Sequence, residues 1–333
     1  MRPFVSVLLL LVGCCYCAAD DPPMETVTTG LVNPCGVAVQ PETGHVFVAD
    51  SGAGRIIRIV DGQAQEVIVD FPRDMYGKGP QYAIGPLGLV FLDQHTLVVG
   101  GGGLPDGEDL VRVYTVPGPG ADPLPADQMK LSLGLPADGA MLGEGNFYGV
   151  ASSPEFLFVT ANGDDAKGWI ARARRTKNHL GKLERFLATK EAVHADAPTA
   201  VTISPRGELV VGQMGELDDA TDALLSFYGP KTGALLLNLG TGLYDITSLA
   251  YHPISGNLYA LDFAWAKPEH GGLFRLDEAA SDRGTPRCAA VKIASLDKPT
   301  ACTFSAAGEL YITVIGSTDD ATAQPGKLLK LKP

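Results

Sequence analysis

The sequence predicts an all-β chain, a six-bladed β-propeller of four-stranded antiparallel blades, on three observations. A short motif recurs six times at a regular interval, 40 Gly and 24 Pro punctuate brief Val, Leu, Ile and Tyr runs, and no apolar period of 3.6 residues is sustained anywhere.

Each copy of the motif opens with a small residue and three strand residues. The six are Gly36-Val37-Ala38-Val39, Gly88-Leu89-Val90-Phe91, Gly149-Val150-Ala151-Ser152, Ala200-Val201-Thr202-Ile203, Ser248-Leu249-Ala250-Tyr251 and Ala301-Cys302-Thr303-Phe304. Five positions after the small residue comes a turn residue, Pro41, Asp93, Pro154, Pro205, Pro253 or Ala306. Second strands follow, as in Val46-Phe47-Val48-Ala49, Leu209-Val210-Val211-Gly212 and Leu310-Tyr311-Ile312-Thr313. Third strands include Arg55 to Ile59 and Lys327 to Leu331, and fourth strands Glu66 to Val69 and Leu235 to Leu239. From residue 36 to residue 301 is 265 residues over five steps, or 53 per repeat. That period holds four short strands and is the signature of propeller blades. The small residue has a steric cause, because six inner strands crowd around one axis.

Blade six ends at Leu331 one strand short, and Glu25-Thr26-Val27-Thr28-Thr29 is expected to supply the missing outer strand. Before it, Met1, Arg2, the apolar run Phe4 to Val12 and the small residues up to Ala19 read as a signal peptide over 1–19. Cleavage after Ala19 is one expectation; the alternative is a lipobox at Leu11-Val12-Gly13-Cys14, which leaves a lipid-anchored Cys14. The mature chain, 20–333, is then one exported domain, secreted, periplasmic or at the cell surface. It carries no run of roughly 18 apolar residues that a membrane helix needs.

A formal charge of -12, with 26 basic against 38 acidic residues, disfavours nucleic acid as a partner. Outside the signal lie Cys35, Cys288 and Cys302, an odd number in an oxidising compartment. Cys35 and Cys302 sit on the inner strands of blades one and six, where neighbouring Cα atoms are expected to exceed the roughly 7 Å that a disulfide spans.

In an up-and-down blade the second strands all end on one face, together with the loops that follow them. That face gathers Asp50, Asp164, Gln213, Asp218, Asp262, Trp265 and Asp319, whereas the opposite face carries tight turns such as Pro205-Arg206-Gly207-Glu208. Two readings of the acids stay open. One is a calcium site with Asp50, Asp218, Asp262 and Asp319 as oxygen ligands; the other is turn capping, in which each Asp accepts backbone N–H bonds. Trp265 offers a platform for a ligand or a roof for the core. Neither a phosphate loop nor His-x-His or His-Glu-x-x-His zinc spacing occurs, and Arg172, Arg174 and Arg175 with Lys177 form a basic run on a third strand.

The stretch Asn33-Pro34-Cys35-Gly36-Val37-Ala38-Val39-Gln40-Pro41, continuing through His45-Val46-Phe47-Val48-Ala49-Asp50-Ser51-Gly52 to Arg55-Ile56, resembles an NHL repeat. Weaker copies run from 33 to 333. The wider resemblance is to the six-bladed superfamily that holds the SMP-30/gluconolactonase and strictosidine synthase-like proteins. It implies lactonases, dehydrogenases or binding modules. The lactonases bind their metal through acidic and amide side chains at the channel mouth, including an Asn just before a small inner-strand residue. This chain places Cys35, Leu87, Tyr148, Thr199, Thr247 and Thr300 there, with Asn33 and Asn146 three residues ahead of Gly36 and Gly149. The expectation is a non-catalytic module for an extracytoplasmic small molecule, glycan or protein. The alternative is a calcium-dependent lactonase or esterase of the SMP-30 type, and a third reading is a quinone-dependent sugar dehydrogenase.

Overall fold

A computed structural model describes residues 22–77, 79–162, 167–177, 179–216, 220–279, 287–320 and 323–333. Residues 1–19, expected to be a signal peptide, with Cys14, and the candidate residues Asp164 and Asp218, lie outside them. Every blade runs from an inner to an outer strand through antiparallel pairs. Blade one is Pro34–Val39, Val46–Asp50, Arg55–Val60 and Gln63–Val69, with Leu124–Pro125 added in parallel outside it. Blade two is Pro86–Phe91, Thr96–Gly101, Val111–Thr115 and Leu131–Leu133, and blade three is Val150–Ser152, Phe156–Ala161, Trp169–Thr176 and His179–Ala188. Blade four is Pro198–Ile203, Leu209–Gln213, Leu224–Tyr228 and Leu235–Gly240; blade five is Ile246–Tyr251, Leu258–Asp262, Gly272–Glu278 and Cys288–Ser295. In blade six, Pro299–Phe304, Leu310–Val314 and Gly326–Leu331 are completed by Glu25–Leu31, which pairs antiparallel with the last of them. The closing strand is the segment that the β-branched run Glu25 to Thr29 predicts.

Alternation explains where the core lies. Each strand presents one side to each neighbouring blade, so the apolar contacts form slabs between blades. Phe47, Ile56 and Ile68 of blade one meet Leu97, Val99 and Tyr114 of blade two in such a slab, all fully buried. Arg172 joins blades too: its guanidinium lies 3.9 Å from the Phe186 ring centroid and donates to the Pro230 and Lys231 carbonyls.

Around the axis the six junctions fall into two kinds. At three of them glycine lets an inner strand touch the next blade's backbone. A Cβ on Gly36 would sit 2.0 Å from the Leu87 carbonyl oxygen, one on Gly88 2.2 Å from that of Tyr148, and one on Gly149 2.5 Å from that of Thr199. The crowding thus comes from a neighbour's carbonyl. At the other three, where the small residue is Ala200, Ser248 or Ala301, the preceding threonine hydroxyl donates to a carbonyl of the next blade. Thr199 reaches Ile246, Thr247 reaches Pro299 at 2.9 Å, and Thr300 reaches Pro34 at 2.6 Å.

Candidate functional site

Asp50, Gln213 and Asp262 end their second strands, as the repeat predicts, and each is buried. The two carboxylates are turned toward backbone donors. Asp50 accepts from the Val32 N–H at 2.7 Å and from Arg55 at 2.8 Å. Asp262 accepts from the N–H groups of Tyr244, Asp245 and Ala264. Burial raises both carboxyls above the usual range, and these donors pull them back. Asp109 does the same work in blade two, fully buried and bonded to the N–H groups of Leu104 and Asn146. Gln213 is fully buried, and neither atom of its amide has a hydrogen-bond partner. Asp319 is exposed.

The mouth of the channel is built from the residues that precede the small inner-strand positions. Cys35, Leu87, Tyr148, Thr199, Thr247 and Thr300 form this ring, and most of its protons are committed. The three threonine hydroxyls donate to neighbouring blades as above, and the Cys35 thiol donates to the Asn33 carbonyl at 3.3 Å. Burial pushes that thiol up to about 12, so it is neither a thiolate nucleophile nor a ready metal ligand at neutral pH. Tyr148 of blade three donates across the axis to the Thr300 carbonyl of blade six at 2.8 Å. Burial pushes its phenol well above the ordinary value as well.

Above the ring sits an aromatic roof. Between blades one and two the chain makes an extra hairpin, Asp74–Tyr76 with Tyr82–Ile84. The Tyr82 ring meets Trp265 edge-on at 5.6 Å and Phe263 at 6.4 Å, and Phe263 and Trp265 lie 5.2 Å apart. The Trp265 indole N–H donates to the Gly79 carbonyl at 3.2 Å, tying blade five to the hairpin. Trp265 is held from below by Asp245, whose Oδ2 accepts its backbone N–H at 2.6 Å. Asp245 is buried, its Oδ1 has no partner, and burial beside Asp262 and Asp222 pushes it up to about 6.

Between ring and roof lies a partly open chamber of about 90 Å³, lined by Leu87, Tyr148, Thr199, Thr247, Phe263 and Trp265 among others. Among the described residues, no Asp, Glu, His, Lys or Arg lines it. Three amides do: Asn33 donates to the Ala83 carbonyl, Asn162 donates to that of Pro198, and Asn146 stands beside Gly102. Of the recognition set read from the sequence, Trp265 lines this chamber. Among the described residues no carboxylate lines the mouth, so they do not supply the ligand set of a lactonase-type metal. Among the described residues, no three His, Cys, Asp or Glu side chains are grouped to hold a metal ion.

Tyr148 also floors this chamber, since it lines a second cavity of about 440 Å³ that runs down the inner strands to Pro253 and Ala306 on the opposite face. The larger hollow therefore opens on the face where sequence reasoning expects only tight turns. Sequence reasoning also missed the roof hairpin and the bonding role of the threonines. One signal for the latter was present: Thr199, Thr247 and Thr300 share a single offset before the small residue of three consecutive blades.

No protein-family model matches the sequence, and no curated protein matches it significantly. Solved structures share its shape. A luciferin-regenerating enzyme superposes with a TM-score of 0.61 at 12% identity, over 94% of this chain and 95% of that one. A PQQ-bound aldose sugar dehydrogenase from Streptomyces coelicolor gives 0.59 at 14%, over 93% and 99%. A gluconolactonase from Xanthomonas campestris gives 0.56 at 13%, over 93% and 89%. At these identities the likeness is one of fold: the chain is a six-bladed propeller similar to those of gluconolactonases and sugar dehydrogenases.

Proposed function

We propose that this propeller binds a small neutral ligand in the roofed chamber at its channel mouth and does no chemistry on it. The observation that carries the reading is the chamber's lining, aromatic and aliphatic walls with a few amides and hydroxyls and, among the described residues, no charged side chain. Such a wall stabilises neither an anion nor a metal-bound intermediate. Its threonine and Trp265 protons are already donated elsewhere, which leaves little to stabilise an oxyanion. Export of the mature chain belongs to the same proposal, and its check is the N-terminus of the isolated protein, Asp20 or a lipidated Cys14.

A second reading is a lactone or ester hydrolase. The fold neighbours favour it, since a luciferin-regenerating enzyme and a gluconolactonase match over more than nine-tenths of the chain. Calcium in that reading draws on Asp50, Asp218, Asp262 and Asp319. One experiment separates the two: titrate small neutral aromatic compounds and lactones while following tryptophan fluorescence, with and without calcium or chelator. Saturable quenching lost in Trp265→Phe, with no turnover, supports the binding module. Chelator-sensitive ring opening of a lactone replaces it with the hydrolase.

A further inference from the structure

Below Tyr148, the cavity of about 440 Å³ is walled largely by backbone. From blades four, five and six it is lined by unbroken runs, residues 199–203, 247–251 and 301–306. Side chains of a strand alternate between two sides, so a surface that takes every residue of a run is taking the strand's edge. Each inner strand pairs with its own second strand and is the end strand of its sheet, which leaves its other edge to the axis. Among the described residues, no backbone hydrogen bond runs from 201–203, 249–251 or 302–304 to another blade. Ser248 Oγ takes one edge donor, the Cys302 N–H, at 3.0 Å. Two hydroxyls add to the open edge groups: Thr202 and Thr303 line the cavity, half-buried, and make no hydrogen bond to any described residue. Among the described residues, no Asp, Glu, His, Lys or Arg lines it. Burial pushes its Cys302 thiol up to about 12, which keeps that group uncharged.

We propose that this channel is a second binding site, for a small neutral polyol that enters from the face opposite the aromatic roof. The walls select that class by elimination. A charged solute gives up its water there and meets no counter-charge. An apolar one leaves backbone donors and acceptors unpaired, which costs more than its contacts return. A molecule dense in hydroxyls replaces channel water, about fifteen molecules at roughly 30 Å³ each, bond for bond. Each hydroxyl both donates and accepts, which suits an edge that offers N–H and C=O groups in turn. The volume falls within the roughly 300–1,000 Å³ of ordinary small-molecule sites. The channel is also separate from the roofed chamber in its lining, since Trp265 borders the chamber and not the channel.

The test is calorimetric titration of the isolated protein with sorbitol and with myo-inositol, beside gluconate as a charged control and cyclohexanol as an apolar one. The expected result is saturable binding of a polyol alone, weakened at least ~10-fold when Thr202→Val and Thr303→Val are combined and unchanged in Trp265→Phe. The two threonine hydroxyls have no described partner to lose, so the double variant should keep its melting temperature. Hydrogen exchange on wild-type protein reads the same surface without a substitution: inner-strand amides of blades four, five and six should slow when the polyol is added. Failure of both polyols to bind, equal binding of gluconate or cyclohexanol, or binding that Trp265→Phe abolishes and the threonine variant leaves intact would each overturn the proposal.

Discussion

Asp245 is a buried carboxylate that accepts the Trp265 backbone N–H and has Asp262 and Asp222 nearby. Its folded pKa stands at about 6, against an ordinary 3.8. Between these values the folded chain holds a proton that the unfolded chain has lost, so stability falls as pH rises through this window. The penalty is complete above the folded value, at about 3 kcal/mol, and absent below the unfolded one. Asp245→Asn keeps an oxygen for the Trp265 N–H and removes the charge. Denaturation from about pH 4 to about pH 7 should therefore show wild-type stability falling relative to the variant; parallel curves would refute this. The sequence makes the positions of Asp50 and Asp262 legible, because the repeat places them at strand ends. Their roles are not legible, because a carboxylate's direction depends on which N–H groups the neighbouring loop turns toward it.

The closing strand is an element-scale case in which sequence and structure agree for one reason. Glu25–Leu31 is β-branched and alternating, and Gly326–Leu331 has an edge that needs covering. Removing residues 24–30 exposes that edge and the packing beneath it, where Val27 and Leu31 join Val48, Ile57 and Leu328. The melting temperature should drop by more than about 10 °C, with dye binding reporting exposed apolar surface; an unchanged melt would show that the ring closes without it. The roof hairpin Asp74–Tyr76 with Tyr82–Ile84 stayed illegible. Its strands are three residues long, it stands outside the 53-residue motif, and Trp265, the partner that gives it a purpose, lies some four blades further along the chain.

At the scale of the whole molecule, the repeat fixes six blades, but it does not reveal that three junctions close by backbone contact and three by hydroxyl bonds. The difference predicts unequal tolerance. Gly36→Ala drives a Cβ into the Leu87 carbonyl and should cost about 3 kcal/mol or more, whereas Ala200→Gly, where a methyl already fits, should cost about 1 kcal/mol. Urea denaturation of the pair checks the ranking, which equal costs would overturn. Tyr148 adds a constraint of another kind, because its bond to the Thr300 carbonyl spans opposite blades and sets its side chain between the two hollows. A molecule in the upper chamber must leave by the door it entered. Whatever slows the movement of the roof then delays arrival and departure by the same factor, so residence time can be lengthened with no gain in affinity. Stopped-flow traces of Tyr82→Ala should show both rates rising together while their ratio changes far less, and a change confined to one rate would mean that Tyr82 acts by holding the ligand and not by gating it.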